Sequence, residues 1–414
     1  MLTAVLLGLS TAVIVTALAY NTGMFVLSRR VVRPTATDDP HRRRYVFLLA
    51  CLNEERVLAE SLRRLMSLPR QDVLVLVVDD ASDDRTAEIV RAADPSRVLL
   101  HQRHLPNARR GKGAALNDGL RQLGSSGLLA GTDPEDVVVC VLDADGRLEP
   151  GAVDQADRFF DDPATGAVQI GVRMYNREDR LLCRMQDMEF VVYTDVFQSG
   201  RRHIGSVGMG GNGQFMRLSA LRSLGPEPWS DRLTEDLDLG IRLLAAGWRN
   251  EYCATAAVHQ QAVLAVRPLV RQRSRWFQGH IQATRLVPMV LREIPGRAAA
   301  DLVYHLSSPA LLLLTSLLPL AFVAGAVGFL TDSLAAGHST FSPYWLIPLY
   351  LLAFAPAYAY AYVYRQREGE LGRWHCLVLA HLFVGYGYLW FAAGWWAVGR
   401  TVRGRTGWLK TART

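Results

Sequence analysis

Five groups of residues in this 414-residue chain have the types and spacing to do chemistry. Asp143-Ala144-Asp145 follows the apolar run Val137 to Leu142. Two carboxylates at i and i+2 on a loop can hold a hard divalent cation that also grips two phosphates, and such an ion would neutralise a departing diphosphate. The alternative for this pair is a solvated turn. Asp79 and Asp80 close another apolar run, and Ser82, Asp83 and Asp84 open an acid-rich helical turn, as the helix dipole prefers. Capping accounts for those three. It does not account for Asp80, which stands where the strand ends and can accept hydrogen bonds from a base or ribose.

Three further stretches carry positive charge or a base. Arg109-Arg110-Gly111-Lys112-Gly113 opens a helix, and glycines with a lysine at a helix N-terminus make an anion site, although the spacing is not that of a P-loop; a plain basic turn is the alternative. Thr234-Glu235-Asp236-Leu237-Asp238 reads as an N-cap with acids in the first turn. A transfer to a hydroxyl also needs a base, and Asp236 is the acid placed to serve. Just upstream, Gly208 to Gly213 is a flexible turn by composition, useful where backbone must pass close to a substrate. Arg271 to Trp276 lies in a basic amphipathic stretch that reads either as an interfacial helix, or as Arg275 holding a diphosphate with Trp276 as a stacking platform.

These residues need elements to hold them. Between residues 45 and 142, short Val- and Leu-rich runs alternate with amphipathic stretches: Tyr45 to Cys51, Glu55 to Met66, Val73 to Asp79, Asp84 to Ala93, Val98 to His101, Gly113 to Leu123 and Val137 to Leu142. That alternation predicts an α/β fold with a mostly parallel sheet covered by helices. Such sheets bind ligands beyond the carboxyl ends of their strands, where Asn53, Asp80 and Asp143 fall. The five cysteines are widely spread and never form C-x-x-C, so neither a disulfide framework nor a zinc site is expected.

The remaining length is apolar. Segments near Leu2 to Leu27, His305 to Leu330, Tyr344 to Tyr364 and His375 to Val398 each approach the roughly 20 residues that cross a bilayer. Arg29, Arg30 and Arg33 follow the first, which predicts a signal anchor with the polar stretch inside the cell. A net charge of +7, its excess beside the apolar segments, favours membrane lipid over nucleic acid as partner. The expected organisation is an N-terminal membrane helix at 1–30, a nucleotide-binding domain at 45–260, interfacial helices at 261–302, membrane helices at 303–399 and a basic tail at 400–414. The count has one flaw. A fourth crossing would put that tail outside, so either the tail is an exception or the last segment does not span. Apart from His305, His375 and His381, the apolar segments lack charge, which argues against a transporter.

The ordered set resembles the membrane-bound, inverting family 2 glycosyltransferases, among them cellulose, hyaluronan, chitin and poly-N-acetylglucosamine synthases. Four motifs stand in the family's order: Asp80, Asp143-x-Asp145, Thr234-Glu235-Asp236 and Gln272-x-x-Arg275-Trp276. The resemblance implies a GT-A, Rossmann-like domain facing the cytoplasm, a bacterial plasma membrane, a UDP-sugar or other nucleotide-sugar donor, and β-linkages. It implies that Asp80 holds the uridine, that Asp143 and Asp145 bind the diphosphate and Mg2+ or Mn2+, and that Asp236, beside Glu235, is the base. Gln272, Arg275 and Trp276 fall at the acceptor and diphosphate, and Lys112 at a phosphate. The product is expected to be a polysaccharide made processively, with a single-sugar glycolipid of the ceramide or diacylglycerol type as the alternative. The chain lacks the regulatory extension that cellulose synthases carry. Trp408 to Arg413 is similar to the Trp-containing gating segment of hyaluronan synthases, with a basic lipid anchor as the alternative.

Overall fold

The computed structural model describes residues 2–30, 43–317, 327–328, 330–335, 344 and 346–405. Trp408 and the tail beyond residue 405, with its expected gating segment, lie outside the described residues, as does part of the segment His305 to Leu330.

The β-branched runs become strands because they are buried on both faces. β1 (Arg44–Cys51), β2 (Val73–Asp79), β3 (Val98–Gln102) and β4 (Val137–Val141) are parallel neighbours in the order β3-β2-β1-β4. Side chains of alternating parity pack into two layers: Tyr45, Phe47 and Leu49 enter one core, Val46 and Leu48 the other. Amphipathic helices Leu58–Met66, Thr86–Arg91 and Lys112–Ser125 cover these faces, starting and ending within a few residues of the expected bounds.

Past β4 the sheet is no longer the parallel array that the first half predicts. β5 (Arg147–Leu148), β6 (Thr165–Met174), β7 (Gln214–Arg217) and β8 (Arg249–Gln260) complete eight strands in the order β3-β2-β1-β4-β7-β6-β8-β5. β7 runs antiparallel to both β4 and β6. The reversal has a functional effect: pairing Gln214 with Val141 puts the turn that enters β7 beside the loop that leaves β4. Residues 208–213 and 143–145 therefore face one another at the carboxyl edge of the sheet.

Helices outside the sheet close that edge. The Leu181–Val191 helix continues through a wider turn at Val192–Gln198 into Ser199–Arg202, and Val266–Ala283 carries the Gln272 to Trp276 stretch. Four long apolar helices follow the expected places: Leu2–Ser28, Gly296–Thr315, Leu346–Glu368 and Arg373–Val402. Among the described residues, Gly296–Thr315 and Arg373–Val402 are long and apolar enough to cross a membrane. The first of these begins well before His305, inside the stretch assigned to interfacial helices. Ala298, Ala299, Leu302 and Leu306 pack on Leu237 and Ile241 of the domain. Asp301 is buried, paired with Arg201 at 3.2 Å and accepting from the Tyr20 hydroxyl at 2.8 Å. Hydropathy places the segment at its uncharged part; the ion pair lets the helix begin earlier.

Candidate active site

A cavity of about 570 Å3 opens at the carboxyl edge of the sheet. Asp80, Lys112, Asp143, Glu235, Asp236, Gln272, Arg275 and Trp276 all line it, although they come from five separate stretches of chain. Asp145 does not. It lies buried behind Asp143, its Oδ2 accepting the Gln261 backbone N–H at 2.8 Å.

Asp80 and Asp79 separate into two roles. Asp79 holds its own turn, accepting the Ser82 N–H at 3.0 Å and the Gln102 amide at 3.2 Å. Asp80 faces the cavity and is paired with the buried guanidinium of Arg103. Asp84 does act locally, accepting the Thr86 and Glu55 N–H groups at 3.0 and 3.1 Å, as capping predicts.

The basic turn places its lysine inward. Gly111 takes φ 110°, a left-handed backbone that suits glycine, and Lys112 then starts the helix with its Nζ 2.6 Å from both Asp143 Oδ1 and Gly211 O. Gly113 is required by packing, since a Cβ there would stand 2.2 Å from Ser230 O. Arg109 turns away to Asp83 at 2.6 Å.

The turn 208–213 is held, not loose as its composition suggests. Gln198 donates to Gly208 O at 2.6 Å, Gln169 accepts from Gly210 N–H at 2.9 Å and donates to Asn212 O at 2.8 Å, and Asn212 Oδ1 accepts the Asp143 N–H at 3.1 Å. Only Asn212 lies inside the motif; Gln169 and Gln198 come from distant strand and helix, with no local sequence signal. A Cβ on Gly211 would meet Asp236 Oδ2 at 3.2 Å and Lys112 Nζ at 3.5 Å, so lysine, base candidate and turn converge at one spot.

The Glu235–Ala245 helix starts with its acids at the cavity, but not by the expected cap. Thr234 occupies the N-cap position without a side-chain cap bond; it is pressed against Gly279, where a Cβ would lie 2.5 Å from its methyl. Burial raises the Glu235 carboxyl to about 7, with the Asp236 charge adding and Lys112 and Arg275 opposing. Burial also raises Asp236, against the Leu237 N–H bond and the Lys112 charge. Two adjacent acids sharing a dry wall hold a proton near neutral pH.

Trp276 sits on a support that motif reading did not assign. The Arg273 guanidinium lies 4.0 Å from its ring centroid, a cation–π contact, and is paired with Glu189 at 2.7 Å. Glu189 also accepts from Trp390 Nε1 at 3.0 Å and from the Tyr386 hydroxyl at 2.5 Å, both on the last helix. Phe197, His280, His305, Tyr360 and Phe383 also line the cavity.

Comparison with known proteins settles the family. Residues 41–279, more than half of the chain, match the family described as glycosyltransferase like family 2. The chain belongs to that family. Among curated relatives, it is 32% identical over 245 residues to a beta-monoglucosyldiacylglycerol synthase of Trichormus variabilis, covering 57% of this chain and 48% of that protein. It is 28% identical over 236 residues to the poly-beta-1,6-N-acetyl-D-glucosamine synthase of Staphylococcus aureus, covering 56% and 53%. The chain thus spans about half the length of the curated relatives it matches. A solved mannosyltransferase from Pyrobaculum calidifontis, in complex with GDP-Man and Mn2+, superposes over 98% of this chain and 100% of that one with TM-score 0.62 at 17% identity. That likeness shows the fold: a GT-A-like α/β sheet with added helices.

Proposed function

We propose that this family 2 chain is a membrane-bound, inverting glycosyltransferase that takes a sugar from a nucleoside diphosphate sugar, UDP-linked by the Asp80 motif, and forms a β-linkage to an acceptor hydroxyl. One observation carries the reading: Lys112, Asp143, Gly211 and Asp236 meet at one point of a cavity that Asp80 and Trp276 also line.

Asp143 and Asp145 offer hard oxygen donors. No group of three His, Cys, Asp or Glu ligands is assembled among the described residues, but Mg2+ commonly takes one or two carboxylates and completes its shell with substrate phosphates and water. An ammonium already rests on Asp143, so a cation suits that position; Asp143, which alone of the pair lines the cavity, would hold Mg2+ or Mn2+ there, with Asp145 buried behind it. Bound there, the ion would neutralise charge on the leaving diphosphate. Lys112 and Arg275 supply further fixed positive charge. Asp236 removes the acceptor proton, and Trp276 presents a ring face for a sugar to stack on. Direct displacement inverts the anomeric carbon without a covalent intermediate.

The acceptor enters from the membrane side, because Tyr360, Phe383 and Trp390 of the long apolar helices line the same cavity as the acids. Processive growth of a polysaccharide is favoured by the pairing of Trp276 with Trp390, ring centroids 6.5 Å apart, which can stack successive sugars. A single transfer to a lipid is favoured by the apolar wall beyond them. The test is to reconstitute the purified protein in bilayers with UDP-glucose, UDP-N-acetylglucosamine or GDP-mannose and Mg2+ or Mn2+, and to size the product. A ladder selects the polysaccharide, one lipid-linked sugar the glycolipid. Equal incorporation by wild type and Asp236→Asn would sink the base assignment.

A further inference from the structure

Length and composition pass Arg373–Val402 as a crossing helix, yet its packing gives it another course. At 30 residues it is about 45 Å long. Over much of its length it runs beside Val266–Ala283, and rising numbers on one meet rising numbers on the other. Leu269 shares an apolar cluster with Leu379, Ala380 and Tyr386. Arg273 lies 5.5 Å from the Trp390 ring, a Cβ on Gly394 would meet Phe277 at 2.9 Å, and Arg400 Nε donates to Gln278 Oε1 at 3.0 Å. The two helices are therefore parallel companions.

Val266–Ala283 cannot lie in hydrocarbon. Arg267 and Arg271 are exposed on it and Arg285 is exposed just past it, and arginines stay at headgroup level. Both ends of its companion also return to the domain. Glu368, just before the last helix, pairs with Arg177 at 3.0 Å and with Arg173; just after the helix, Arg405 O accepts from Gln278 Nε2 at 2.8 Å. The outward face is apolar apart from His375 near its start: Trp374, Val378, Leu382, Tyr388, Trp395 and Trp396 are exposed, and no Asp, Glu, Lys or Arg occurs from residue 374 to 399. That face is continuous with the exposed Leu314 and Leu317, since Trp395 Nε1 donates to Ser316 Oγ at 3.0 Å.

We propose that Arg373–Val402 does not cross the bilayer. It lies in the lipid–water interface, its inner face on the catalytic domain and its outer face among the acyl chains of one leaflet, with tryptophans at the depth they favour. The chain beyond residue 402 is then on the same side as the catalytic domain. This rests on the membrane-bound reading proposed above.

The test uses full-length protein in sealed inverted and right-side-out vesicles, with Cys376→Ser removing the one native thiol that is not buried. Single cysteines at exposed Glu88, Glu370 and Arg403 are probed with a membrane-impermeant maleimide. The expected result is that all three label from one side. Labelling of Arg403→Cys from the side opposite to Glu370→Cys would overturn the proposal. Protein recovered in the soluble fraction would overturn the membrane reading first, and the proposal with it. If a cysteine variant fails to fold, protease access to a C-terminal epitope on the otherwise unaltered chain gives the same answer: cleavage in inverted vesicles supports the interfacial course, cleavage in right-side-out vesicles overturns it.

Discussion

Asp236 and Glu235 share a dry wall with Lys112 close by, and their chemistry follows from that. Asp236→Asn keeps the shape and removes the base, so kcat should fall by about 10^2 to 10^4-fold with an unchanged elution profile in detergent. A base whose pKa burial has raised works only above that value. With Glu235 near 7 and Asp236 also raised, kcat/KM should rise with pH across neutrality, the proton on the pair blocking the reaction on the acid side. A profile flat from pH 5.5 to 8 would remove the pair from the proton path. Lys112 touches Asp143 and a backbone carbonyl together; Lys112→Ala should lower kcat/KM by about 10^2-fold or more, read in donor-saturation curves.

Elements bring these residues together through a few tight contacts. The turn 208–213 passes close to Asp236 and Lys112, and a Cβ on Gly211 would press on Asp236 first. Gly211→Ala should therefore lower turnover while the protein remains folded, because its new methyl would enter the 3.2 to 3.5 Å space beside both groups. The support under Trp276 behaves differently. Arg273→Ala removes the cation from its ring and leaves the half-buried Glu189 without that partner, so acceptor KM should rise more than donor KM, with partial recovery in Arg273→Lys. Equal changes in both constants would show a general structural loss instead.

For the whole molecule, the catalytic domain and the apolar helices are joined by buried charge. Asp187 is fully buried and accepts from Arg173 at 2.8 and 3.1 Å, from Met174 N–H at 2.6 Å and from the Tyr364 hydroxyl at 2.9 Å. Breaking one partner of such a set costs about 3 to 5 kcal/mol. Asp187→Ala should accordingly lower the apparent Tm in detergent well before it changes the chemistry of the remaining folded protein. A domain joined in this way to the helices whose aromatic rings close its cavity should not be active once cut free of them.

Much of this was written in the sequence, for local reasons. Val-rich runs buried on both faces have no stable alternative to strands, so β1, β2 and β4 and the acids at their ends could be read directly, and Asp80, Asp143, Asp236 and Trp276 do reach one cavity. Other features depend on residues far apart in the chain, and no window of sequence contains them. The antiparallel entry of β7 turned a glycine-rich stretch into a pinned wall opposite Asp143. Arg103 found Asp80, Glu189 found Arg273, and Asp145 was drawn behind Asp143 by a backbone N–H of Gln261. Hydropathy could measure how apolar Arg373–Val402 is, because that is a property of the residues alone. Its course was decided by what it packs against: a parallel helix full of arginines.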